Sequence, residues 1–115
     1  MMIKIYHNPR CKKSRAGLQY LTDKGVDIEI INYIKDSISE SILEDLLVKL
    51  NKKPQEIIRK QEAFFKSDLK GKNFTDREWI KILSENPKLI QRPVIVNGYK
   101  AVIGDPVENI ENLKI

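Results

Sequence analysis

Residues 2–31 read MIKIY HNPR C KKSRAGLQYLTDK G VDIEII, and this stretch decides the fold. Met2-Ile3-Lys4-Ile5-Tyr6 alternates loosely and is rich in strand formers, which predicts a first strand. Asn8-Pro9 breaks it, because proline lacks a ladder donor and restricts the residue before it. A helix is expected from near Cys11 to about Lys24, with Leu18 and Leu21 on its inner face. Gly25 is its stop, since glycine enters the left-handed region without steric penalty. Val26-Asp27-Ile28-Glu29-Ile30-Ile31 alternates again and predicts a second strand. Strand, helix and strand in that order make a crossover unit whose two strands run parallel.

Beyond this unit the pattern turns helical. Ser39 to Leu50 carries Ile42, Leu43, Leu46, Leu47 and Leu50, a wide apolar stripe, with Ser37 and Glu40 spaced as a capping box. Lys52-Lys53-Pro54 ends this helix, and Pro54 suits the first turn of a short one over residues 54–60. A weaker helix is expected over 61–69, then a loop to Asn73. Thr75-Asp76-Arg77-Glu78 is another capping box, opening a helix through about Asn86 with Trp79, Ile80, Ile82 and Leu83 as its apolar face. The last third returns to strands. Pro93-Val94-Ile95-Val96 and Lys100-Ala101-Val102-Ile103 flank Asn97-Gly98, a strong hairpin signal. Gly104-Asp105-Pro106 then breaks the pattern before a closing helix over 106–113. The order predicts an α/β, thioredoxin-like fold: one domain over residues 1–115, a mixed four-stranded sheet, and a helical insertion (about 37–86) between the second and third strands.

Composition narrows the functional classes. A chain of 115 residues, 41% hydrophobic and 32% charged with mixed sign, buries one modest core and is not a disordered chain. Its net charge of +5 attracts anions, yet no basic run is interleaved with stacking aromatics, so no nucleic-acid partner is expected. No apolar run has the length of a membrane span, and the opening run is too brief for a secretory signal. A cytoplasmic monomer with no membrane association is the expectation. One cysteine and one histidine leave no internal disulfide and too few ligands for a structural metal, so no metal is expected.

The lone Cys11 falls at the expected start of the first helix, where backbone N–H groups lack intrahelical partners and carry positive partial charge. A thiolate there is stabilised and becomes a nucleophile. Arg15 lies four residues on, and Arg10, Lys12 and Lys13 add cationic neighbours; His7 stands on the approach loop. The same features suit a tetrahedral oxyanion, held by N–H groups and an arginine fork. Arg59 and Arg92 are candidates to join from other elements. Pro93, after Arg92, is a candidate for a cis peptide bond beside the thiol.

Tyr6-His7-Asn8-Pro9-Arg10-Cys11-Lys12-Lys13-Ser14-Arg15 resembles the active-site segment of the glutaredoxin-linked arsenate reductase family, with its H-x-x-x-C-x-x-x-R arrangement. The likeness continues through Ile58-Arg59-Lys60 and Ile90-Gln91-Arg92-Pro93-Val94-Ile95-Val96. The resemblance implies a Cys11 thiolate that attacks arsenate, with glutathione as co-substrate, glutaredoxin as partner and no bound cofactor. It further implies that His7 keeps the thiol ionised, Ser14 supports it by hydrogen bonding and Arg15 holds the loop. Arg59 and Arg92 would bind arsenate or a similar oxyanion. Asp105-Pro106 departs from the arginine-proline pair that family members often carry there, and a carboxylate facing the site would repel an oxyanion. Two other readings stand beside the enzyme. One is a family member with a reactive thiol and no arsenate role. The other is an Spx-type redox-sensing regulator that binds RNA polymerase, against which Ser14 counts, since it occupies the second position of that branch's C-x-x-C pair.

Overall fold

A computed structural model describes residues 2–115. Four strands, β1 (Met2–Tyr6), β2 (Asp27–Ile31), β3 (Val94–Asn97) and β4 (Lys100–Ile103), form one mixed sheet in the order β2-β1-β3-β4. β1 pairs parallel to β2, with Ile5 opposite Ile30, and antiparallel to β3, with Ile5 opposite Ile95. This is the expected thioredoxin-like α/β fold, with helical chain inserted between β2 and β3. Packing divides the molecule into two compact units, the chain through Asp36 together with Arg92–Ile115, and Ser37–Gln91.

In the first unit, α1 (Lys12–Lys24) crosses from β1 to β2 and stops at Gly25, whose φ of 72° is the left-handed conformation expected of it. Short α2 (Tyr33–Asp36), too brief to show an apolar period in the sequence, follows β2; Asn32 Oδ1 accepts from the Lys35 N–H at 3.1 Å. Leu21 of α1 meets Ile3, Ile5 and Ile95 of the sheet and Ile110 and Leu113 of a closing 3-10 helix (Val107–Leu113) in one core. Val94 and Val96 are buried as well, so β3 is covered on both faces, which explains its unbroken apolar run. The hairpin turn falls one residue later than its sequence signal. Asn97 pairs with Lys100, and Gly98-Tyr99 form the loop. Of these two only Gly98 has positive φ, which fits a turn of the II′ kind rather than the I′ kind that Asn-Gly favours.

The second unit contains α3 (Glu40–Leu50) and α4 (Asp76–Glu85). Ser39, not Ser37, caps α3: its backbone is extended and its side chain accepts the Ile42 N–H at 3.1 Å. Ser37 has φ of 69°, left-handed rather than the extended backbone an N-cap requires, so the expected capping box does not form. Leu43, Leu46, Leu47 and Leu50 make the buried stripe, while Ile42 falls outside it and is 43% exposed. Thr75 and Glu78 form the expected capping box on α4, and Trp79, Ile80 and Leu83 are buried. The short helix at Pro54 covers only Pro54–Ile57, because Ile58 turns extended and bridges Ile90. Phe65–Leu69 is a single wide π-type turn.

Candidate active site

Strand pairing gathers three segments at one end of the sheet. Tyr6 lies opposite Val94, and Val94 opposite Ile103. The chain leaving β1 (His7 to Cys11), the chain entering β3 (Arg92-Pro93) and the chain leaving β4 (Gly104-Asp105) therefore emerge side by side.

The first segment is a built turn. The Asn8 carbonyl accepts the Cys11 N–H at 3.0 Å, with Pro9 where its fixed φ is favoured. The Asn8 side chain accepts the Arg10 N–H at 3.0 Å, an Asx turn laid over the same residues. Arg15 Nη1 donates to the Pro9 carbonyl at 3.0 Å from one turn into α1. Cys11 itself is the N-cap, extended at φ −95° and ψ 123°, and its carbonyl accepts the first helical bond, from Arg15 N–H, at 3.0 Å. Asn8 is thus part of the architecture as well as a strand breaker.

Ser14 lies wholly buried under this turn. Its hydroxyl accepts the Asn8 N–H at 3.0 Å and lies 2.6 Å from His7 Nδ1. His7 is buried too, and that burial is the main reason its imidazole titrates below the ordinary 6.5; the Arg15 charge lowers it further. The ring is therefore neutral at pH 7 and is engaged with Ser14 through Nδ1.

Cys11 is half-buried, and burial by itself pushes its thiol up. The Ser14 N–H, the Arg92 side chain and the Lys13 N–H outweigh this, and with the Arg92 charge they hold the thiol below its ordinary value. The thiol forms no side-chain capping bond of ordinary geometry, so these groups act on it chiefly by favouring the thiolate. Arg92 is buried to 9% exposure and comes from the segment entering β3, whereas Arg10 and Lys12 are exposed. Lys13 is paired, its Nζ 2.9 Å from Asp105 Oδ2. Arg59 lies in the second unit, where its Nη1 donates to Glu62 Oε2 at 2.6 Å.

The Arg92–Pro93 peptide is cis. Pro93 sits against two glycines: a Cβ at Gly17 would come within 2.6 Å of its ring and one at Gly104 within 3.1 Å. The isolated Gly17 inside a helical pattern was the available signal for this close approach. Among the described residues, no three His, Cys, Asp or Glu side chains group closely enough to hold a metal ion.

Known proteins resemble this chain over nearly its whole length. The profile of the ArsC family matches residues 6–113. The uncharacterized protein YfgD of Escherichia coli K12 is 37% identical over 110 residues, covering 94% of this chain and 92% of its own. An arsenate reductase of Neisseria meningitidis is 34% identical, covering 95% of each chain. The solved structure of an arsenate reductase from Vibrio cholerae superposes with a TM-score of 0.92 at 32% identity, covering 98% of each chain.

Proposed function

This chain belongs to the ArsC family, and from that premise we propose that it is a thiol-dependent arsenate reductase with the Cys11 thiolate as nucleophile. The observation that carries the reading is the thiol at the N-cap of α1, held below its ordinary pKa by two backbone N–H groups and Arg92. A thiolate formed there faces donors that can also hold a tetrahedral oxyanion, and a guanidinium binds two oxygens of such a group at once. Arg59 enters on the likeness of its segment to the family. His7, Ser14 and Arg15 fix the turn that presents the sulfur.

The chemistry balances with external thiols. The Cys11 sulfur forms a bond to arsenic, and one arsenate oxygen leaves as water. Two thiols, glutathione and glutaredoxin in this reading, then give up two protons and two electrons and leave as a disulfide. Pentavalent arsenic becomes trivalent, and a second oxygen departs as water with those protons. Hydrolysis of the S–As bond releases arsenite and restores Cys11. The chain has one cysteine, so it cannot supply a resolving thiol of its own.

Arsenate-dependent turnover with glutathione and glutaredoxin tests the reading. The native protein should turn over and Cys11→Ser should lose all activity. An inactive native protein would overturn it. Asp105, near the site, favours a second reading, in which the same thiol serves a different electrophile; retained hyper-reactivity of Cys11 without arsenate turnover would select it. An RNA polymerase complex without turnover would select the regulator.

A further inference from the structure

The Lys13–Asp105 ion pair stands at the same end of the sheet as Cys11 and takes no part in the steps above. Lys13 is the second residue of α1, and its backbone N–H is one of the groups that favour the thiolate. Its ammonium is 2.9 Å from Asp105 Oδ2, with the two side chains 54% and 38% exposed. Asp105 is tied down from its own side. The Gly104 N–H donates to the Pro93 carbonyl at 2.8 Å, and Asn109 Nδ2 donates to the Asp105 carbonyl at 3.3 Å and to the Ile103 carbonyl at 3.1 Å. The carboxylate is thus presented to the helix start by a fixed segment, one residue from the Pro93-contacting Gly104.

Resting on the reading of Cys11 as nucleophile, we propose that Lys13 and Asp105 form a charge-selecting pair beside the thiolate. Closed, the pair cancels the lysine and leaves Arg92 and the backbone N–H groups to draw an anionic reactant to the sulfur. A reactant gains the Lys13 charge only by displacing Asp105. The site therefore favours neutral or singly charged electrophiles over multiply charged ones, relative to the same site with Lys13 unpaired.

Two alkylating agents of similar shape and different charge read the local potential at Cys11. The rate ratio of iodoacetate to iodoacetamide is measured at low salt for the full chain. Asp105→Asn should raise the ratio by about twofold, and Lys13→Gln should lower it by a similar factor, as expected for removal of a single solvent-screened charge near the sulfur. The double variant should return to the native ratio, and all differences should shrink in about 1 M salt. The exchanged pair, Lys13→Asp with Asp105→Lys, keeps the contact and should also restore the native ratio, which covers the loss of a single variant to misfolding. An unchanged ratio in both single variants, or a shift in the same direction in both, would overturn the proposal. Failure of the underlying reading shows separately, as an alkylation midpoint at the value of a free thiol.

Discussion

Ser14 shows how much one buried hydroxyl organises: it takes the Asn8 N–H and engages the His7 ring, while its own N–H favours the Cys11 thiolate. His7 carries a pH dependence of definite sign. The unfolded chain binds a proton at this ring near 6.5, and the folded chain only at lower pH. Between the two values the unfolded state holds more protons, so stability rises with pH. The contribution is fully present above about pH 6.5 and is lost as pH falls through the folded value. Denaturant midpoints should decline across that window for the native protein, and His7→Gln should flatten the decline; equal slopes would assign it to other groups. Arg92 makes a second prediction. Arg92→Met removes the cation acting on Cys11, so the alkylation midpoint should move up in pH and the rate at neutral pH should fall. An unmoved midpoint would leave the backbone N–H groups as the whole cause.

Elements begin and end where local backbone permits, and the start of α3 is the instructive case. Ser37 and Glu40 have capping-box spacing, but Ser37 is left-handed and Ser39 is extended, and only the latter can aim its hydroxyl at the first turn. Ser39→Ala should therefore cost about 1 kcal/mol of stability. Ser37→Gly should cost nothing and should stabilise slightly, because glycine takes a positive φ without strain. Chemical denaturation of the two variants compares them directly, and the reverse order would put the cap at Ser37. The same logic explains Ile42. The buried stripe runs at 43, 46, 47 and 50, and position 42 lies about 40° beyond its near edge at Leu46, toward solvent.

At the scale of the whole molecule, the crossover unit, the hairpin and the closing 3-10 helix share one core. Ile95 is 0% exposed on β3 and meets side chains from β1, α1 and the closing 3-10 helix. Ile95→Ala should destabilise by about 2–5 kcal/mol, the range for removing buried methyl groups from a packed site. Ile42→Ala, on an exposed face, should stay within about 0.5 kcal/mol. Urea unfolding with a common m-value provides the comparison, and similar losses for both would contradict the burial pattern.

The sequence by itself determined the order of the strands and longer helices, the α/β fold and the nucleophile candidate. These follow from local rules: alternation for strands, a glycine stop, a proline break, and an unpartnered helix start at Cys11. Tertiary structure decided which charges act on the thiol. Arg10 and Lys12 are adjacent in sequence yet exposed, whereas Arg92, some eighty residues away, is brought to Cys11 because β3 lies antiparallel beside β1. It likewise neutralised Lys13 with Asp105, through the pairing that sets the end of β4 next to the start of β3. Electrostatics depends on distance in space, and strand register sets that distance where sequence spacing does not.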